Sequence, residues 1–256
     1  MKAVLYVGHG TRVPEGSEQL KTFAEEAKKD IPYDIQETCF LELSKPDIME
    51  GAARCVEKGA DSIAVVPVLL LSAGHIKEDI PEELDKVKEA YPHVSIQYGA
   101  PFGLHTKMLD VLQQRLENKG WQKGQDAGIL LVGRGSSDDK AITDFHDIAS
   151  LLQKRTGVDK VDTAFLAAAN PTFDEGLEKV AKSSTKNVYV LPYLLFTGLL
   201  MQEMQTKIEA ADKTSEPSLY LCDYLGYDKQ LIEVLRERTD ETFHQPFLFE
   251  KSEENV

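Results

Sequence analysis

At 256 residues the chain is long enough for one large domain or two of ordinary size. Its 42% apolar and 28% charged content excludes a disordered chain, and no apolar run approaches the roughly 20 residues of a membrane-spanning helix. A net charge of −14 excludes the broad basic face that a nucleic-acid partner requires.

The first predicted strand, residues 3–7, passes directly into Gly8-His9-Gly10. That apolar run is too short for a signal peptide, so a cytoplasmic address is expected. Residues 15–29 follow as a helix with Leu20, Phe23, Ala24 and Ala27 on one face. A second strand over 34–41 leads to a second helix over 46–58, which aligns Ile48, Met49, Ala52, Ala53 and Val56. Pro46 suits its first turn and Ser44 is placed to cap it. Further strands are expected at 62–69 and 94–98, then at 128–132, 160–165, 187–191 and 219–221.

Short apolar strands alternating with amphipathic helices predict parallel sheets covered on both faces. The expected fold class is α/β, with two doubly wound domains of about four parallel strands each. The polar stretch 118–127, with Gly120 and Gly124, sets the expected boundary: one domain over 1–122 and a second over 123–249. The acidic tail 250–256 is expected to fray. Cys39, Cys55 and Cys222 form no Cys-x-x-Cys pair and read as small buried hydrophobes.

The two halves repeat each other at an offset of 125 residues. Val4–Thr11 answers to Ile129–Ser136, Phe40-Leu41 with Pro46, Glu50 and Gly51 to Phe165-Leu166 with Pro171, Glu175 and Gly176, and Val65–Ser72 to Val190–Thr197. In that register His9 becomes Arg134, Glu42 becomes Ala167 and His75 becomes Leu200. Both copies must fold, so scaffold residues persist in both. Joint replacement of three polar residues marks one copy as released from a task.

All three follow predicted strands, at the carboxyl edge where open α/β sheets bind ligands. Two imidazoles and a carboxylate suit a divalent transition metal and leave coordination positions open. They can also carry protons near neutral pH. Singly, His9 also reads as a turn residue, His75 as a first-turn helix residue and Glu42 as a half-exposed carboxylate. His93, His105, His146 and His244 read as surface or half-buried side chains. Thr11 and Arg12 offer a hydroxyl and a guanidinium to an anionic group, or a surface charge alone, and Lys45 has the same two readings.

Gly8-His9-Gly10-Thr11-Arg12, then Glu42-Leu43-Ser44-Lys45-Pro46, then Val66-Pro67-Val68-Leu69-Leu70 running to His75 with Asp79-Ile80-Pro81, resembles the sirohydrochlorin chelatase family. These class II tetrapyrrole chelatases insert Fe2+ or Co2+ without nucleotide. The resemblance spans nearly the whole chain. It implies two related α/β domains with pseudo-twofold symmetry and the macrocycle in the cleft between them. It also implies metal binding by His9 and His75, with His9 as proton acceptor and Glu42 assisting. Leu70, Leu71, Ser72, Ala73, Gly74 and Lys45 would line the macrocycle site, and Arg134 would pair with a substrate carboxylate.

No cofactor is expected, the metal being a substrate, and the partners are a tetrapyrrole and a divalent ion, with no nucleic acid and no membrane. A monomer is expected. Neutral imidazoles bind metal and protonated ones do not, so acid should switch delivery off. The chain lacks the His-rich run or cysteine cluster that long cobalt-inserting relatives can carry near the C-terminus, which favours iron insertion over cobalt insertion. A non-catalytic metal or tetrapyrrole carrier is the alternative of a different class. Phosphoryl transfer is disfavoured, because the chain has neither a Gly-x-x-x-x-Gly-Lys-[Ser/Thr] loop nor an Arg-His-Gly order at His9.

Overall fold

The computed structural model describes residues 1–11, 14–226 and 228–244, and of His75 the backbone alone. Arg12 and the tail 250–256 therefore lie outside the described residues. The first sheet is built from β1 (Lys2–Gly8), β2 (Ile35–Phe40), β3 (Ser62–Pro67) and β4 (Ser95–Tyr98), all parallel, in the order β2-β1-β3-β4. The second uses β5 (Ala127–Gly133), β6 (Val161–Phe165), β7 (Asn187–Tyr193) and β8 (Ser218–Leu221) in the equivalent order β6-β5-β7-β8. The doubly wound parallel α/β architecture is the one the strand–helix alternation predicts.

β1 lies inside its sheet, with Ala3 through Val7 fully buried, which is why it reads as an unbroken apolar run. Ala3, Leu5 and Val7 pack with Ile48, Ala52 and Cys55 of α2 (Ile48–Glu57) and with Ile80, Leu84 and Val87 of α3 (Ile80–Ala90). On α1 (Pro14–Lys28), Leu20, Phe23, Ala24 and Ala27 are buried as their spacing predicts. In the second unit Leu130 and Val132 pack with Phe173, Leu177 and Val180 of α6 (Phe173–Ala181) and with Met204 and Ile208 of α7 (Leu199–Asp212). All three cysteines are free and buried, and burial pushes the Cys55 and Cys222 thiols up to about 12.

One local expectation is corrected. The second helix starts at Ile48, two residues beyond Pro46, and its cap is Asp47 rather than Ser44. The Asp47 carboxylate accepts from the Glu50 N–H at 2.9 Å, and the Glu50 carboxylate accepts from the Asp47 N–H at 2.9 Å. A reciprocal box of this kind satisfies two orphan donors, whereas a Ser44 cap would satisfy one.

The compact units do not follow the sequence repeat. One comprises Met1–Phe102 together with the chain from Ile232, and the other comprises Gly103–Leu231. The contact-based units cut across the boundary expected at 118–127: α4 (Thr106–Asn118) falls in the second unit, and most of α8 (Lys229–His244) in the first. Two arginines fix the exchange. Arg238 on α8 donates to the carbonyls of Pro101 and Phe102, both at 2.8 Å. Arg115 on α4 donates to the carbonyl of Tyr224 at 2.9 Å and to that of Leu225, and pairs with Asp228 at 3.3 Å. Guanidinium hydrogen bonds of this kind stabilise by roughly 1.5–3 kcal/mol each. Helical periodicity shows that α4 needs a surface to cover, but not which sheet supplies it.

No described helix is long and apolar enough to cross a membrane.

Candidate functional site

The strand order reverses at β1, so the carboxyl ends of β1 and its neighbours form the crevice where doubly wound sheets take ligands. β1 ends at Gly8, and the ladder to β2 runs on past both strands: Leu41 N–H donates to the Gly8 carbonyl at 2.9 Å and Glu42 N–H to the His9 carbonyl at 3.1 Å. His9 and Glu42 thus occupy facing positions on two loops. Gly10 makes the approach possible. Its φ is +92°, and a β-carbon there would stand 1.7 Å from the Glu42 carbonyl oxygen.

This backbone brings His9 Nδ1 to 3.6 Å from Glu42 Oε1. The imidazole is 21% exposed and the carboxylate 48%. The spacing is longer than a hydrogen bond, and His9 Nδ1 also lies 3.3 Å from the Gly10 carbonyl. A neutral imidazole and a carboxylate at this separation can both direct lone pairs at one third body, a proton or a metal ion. His75 begins a π-helical turn, His75–Asp79, after β3, the other neighbour of β1. Ile76 and Lys77 N–H groups close that turn on the Ala73 carbonyl. The structure therefore brings His9 and Glu42 together and places the His75 backbone on the third adjacent loop. Among the described residues no cluster of three His, Cys, Asp or Glu side chains forms a metal site.

The remaining expected residues are distributed around these loops. Leu70, Leu71, Ser72, Ala73 and Gly74 form a half-buried segment between β3 and the π-helical turn. Lys45 is exposed and pairs with both cap carboxylates of α2, reaching Glu50 at 3.2 Å. Hydrogen bonding to Asp47, then to Glu50, holds its ammonium above the usual lysine range. Its charge is thereby matched within its own loop. Thr11 is half-buried, and its side chain packs on Gly16 at the start of α1. Arg134 is exposed at the end of β5 in the second unit. Among the other histidines, His105 caps α4 by accepting from Lys107 N–H at 3.2 Å, a role its sequence position did not disclose.

The second unit repeats the loop backbone without the histidine and the glutamate. Leu166 N–H donates to the Gly133 carbonyl at 3.0 Å, and Ala167 N–H to the Arg134 carbonyl at 2.8 Å. Gly135 has φ +94°, with its missing β-carbon again 1.7 Å from a carbonyl oxygen, that of Ala167. Leu43 and Ala168 share a left-handed conformation, and both loops carry a cis X-Pro bond. In place of the π-helical turn, Leu200 lies within the regular helix α7. A π-helical turn in one copy alone follows the common siting of such turns at functional positions.

The CbiX family model matches residues 3–119 and, a second time, residues 128–242. The chain belongs to this family. These are the sirohydrochlorin chelatases that its motifs resemble. The chain is 47% identical over 235 residues to the sirohydrochlorin ferrochelatase of Priestia megaterium, covering 92% of this chain and 88% of that one. It is 39% identical over 246 residues to the sirohydrochlorin cobaltochelatase of the same organism, covering 94% of this chain and 80% of that one. The solved structure of SirB from Bacillus subtilis with Fe3+ matches with a TM-score of 0.87 at 38% identity, over 94% of this chain and 95% of that chain.

Proposed function

We propose that this chain is a chelatase that inserts Fe2+ into sirohydrochlorin to yield sirohaem, without a nucleotide. The observation that carries the reaction and the metal is the likeness, nearly end to end, to a sirohydrochlorin ferrochelatase at 47% identity. The site supplies what the reaction asks for. The macrocycle loses two N–H protons as it takes up a dication, so a base and a weakly held metal must face its centre.

In this reading His9 accepts a macrocycle proton and, with Glu42 and His75, binds the incoming ion. The 3.6 Å spacing of His9 and Glu42 supports their acting on one body. An open set of nitrogen and oxygen ligands binds metal well enough to deliver it and leaves it room to depart. Leu70 to Gly74 would offer the macrocycle a half-buried, largely apolar edge. Thr11, Arg12 and Lys45 are the candidates in this unit for its carboxylates.

A second reading is cobalt insertion, favoured by the 39% identity to a sirohydrochlorin cobaltochelatase. One assay separates these and the carrier alternative: sirohydrochlorin is incubated with the protein and Fe2+ or Co2+, and its absorption spectrum is followed. Many turnovers with Fe2+, faster than with Co2+ at equal free concentration, are expected. Faster turnover with Co2+ would support the second reading. Stoichiometric binding without turnover would indicate a carrier, and no acceleration with either metal would reject insertion.

A further inference from the structure

Ser44 does not cap α2, and its hydroxyl is fully engaged elsewhere. Its Oγ accepts from Thr11 N–H at 3.1 Å, donates to the Thr11 carbonyl at 3.0 Å, and lies 2.7 Å from Ser17 Oγ. A hydroxyl has one proton and two lone pairs. With its proton given to the Thr11 carbonyl, Ser44 must accept from Ser17, which fixes Ser17 as the donor in that pair. Ser17 is itself buried on α1, at 9% exposure. The loop that carries Glu42 is thus tied by one oxygen to the loop that carries His9, two residues past each.

The second copy lacks this tie. At the same offset Ser44 becomes Ala169 and Ser17 becomes Ile142. Its equivalent loop closes on itself instead. Ser136 Oγ accepts from Asp138 N–H at 3.0 Å, and Asp138 caps α5 (Asp139–Thr156) through the N–H groups of Lys140 at 2.9 Å and Ala141 at 3.2 Å. A turn of this shape therefore forms with the backbone ladder alone, without a side-chain bridge from the neighbouring loop. The inter-loop hydroxyl bridge is present where His9 and Glu42 are present and missing where they are replaced.

We propose that Ser44, seated by Ser17, is a positioning residue: by fixing Thr11 it sets the spacing of His9 and Glu42, so that both side chains reach the same ion. This rests on the reading of those two as the working pair. Misplacing reacting groups by about 1 Å can cost up to roughly a hundredfold in rate. The bridge therefore shows in turnover more than in stability.

The test is steady-state Fe2+ insertion into sirohydrochlorin by wild type, His9→Ala, Ser44→Ala, Ser44→Thr and Ser17→Ala, with thermal unfolding of each. Ser44→Ala should lower kcat roughly 10- to 100-fold with KM for sirohydrochlorin held within about twofold and a near-wild-type melting temperature. Ser44→Thr, which keeps the hydroxyl, should recover most of that loss. Ser17→Ala removes one donor and should lower kcat by about two- to tenfold. Wild-type kcat in Ser44→Ala, or equal impairment in Ser44→Thr, would overturn the positioning role while wild type remains active and His9→Ala inactive. If Ser44→Ala does not fold, Ser17→Ala decides, and wild-type kcat there overturns the proposal. An inactive wild type would instead overturn the functional reading, and the proposal with it.

Discussion

After β1 a histidine stands beside a glutamate; after β5, on a loop closed by the same pair of backbone hydrogen bonds, an exposed arginine stands beside an alanine. Both loops need glycine at the same place, because a carbonyl oxygen occupies the space of its β-carbon. The neighbouring loops, after β2 and β6, each lead into a capped helix, with Asp47 serving α2 and Thr172 serving α6. The shape of the crevice and its chemistry are thus separable. Backbone geometry comes from glycine, caps and ladder hydrogen bonds, all kept in both copies. In the proposed reading the chemistry comes from His9, Glu42 and His75, whose replacement in the second copy leaves those contacts intact.

The largest effect should follow from making the first copy resemble the second. His9→Arg or Glu42→Ala is expected to lower insertion by about 10²–10⁴-fold with the circular dichroism spectrum unchanged. The reverse change, Ala167→Glu, is expected to leave the rate within about twofold, since that side chain is exposed. Comparable losses from changes at 42 and 167 would erase the distinction between the copies.

Next in size are the glycines. Gly10→Ala and Gly135→Ala should each destabilise by more than about 2 kcal/mol, seen as a lowered denaturant midpoint, because each combines a positive φ with a backbone clash. Only Gly10→Ala should also reduce kcat beyond its effect on folding. Equal kcat losses would mean that the second loop takes part in the reaction.

The caps give the smallest effect. Asp47→Ala and Thr172→Ala should each cost about 1 kcal/mol. Their acid responses should differ. Hydrogen bonding to Lys45, then to the Glu50 N–H, holds the Asp47 carboxyl below the usual carboxylate range. A depressed folded value stabilises fully above the unfolded value of about 3.9 and is lost as pH falls through the folded one. The melting temperature of Asp47→Asn should accordingly fall less than wild type between about pH 5 and about pH 3. Thr172→Asn removes only the hydroxyl that, after the Thr172 N–H, holds the Glu175 carboxyl low, and should flatten the curve less than Asp47→Asn does.

The sequence discloses the sheets because β1, β3, β5 and β7 are apolar beyond their first residues, as strands covered on both faces must be. His9 and Glu42 are legible as a pair because one offset replaces both at once. Two features were hidden for physical reasons. The exchange of α4 and α8 turns on Arg115 and Arg238 reaching backbone carbonyls, and carbonyls leave no trace in residue identity. Ser44 sits where a cap is plausible, and its true partner, Thr11, is identified only when two loops are placed side by side. The cap itself was readable, since Asp47 followed three residues later by Glu50 is a known helix start. Pro46, which fits a first helical turn, points to a start two residues too early.

The most direct test of the division between the copies is anomalous scattering at the cobalt edge from crystals soaked in Co2+. A peak between the His9 imidazole and the Glu42 carboxylate, with none beside Arg134 and Ala167, is the expected result. Cobalt bound elsewhere, with His9 and Glu42 both unligated, would contradict the assignment of the site to the first copy.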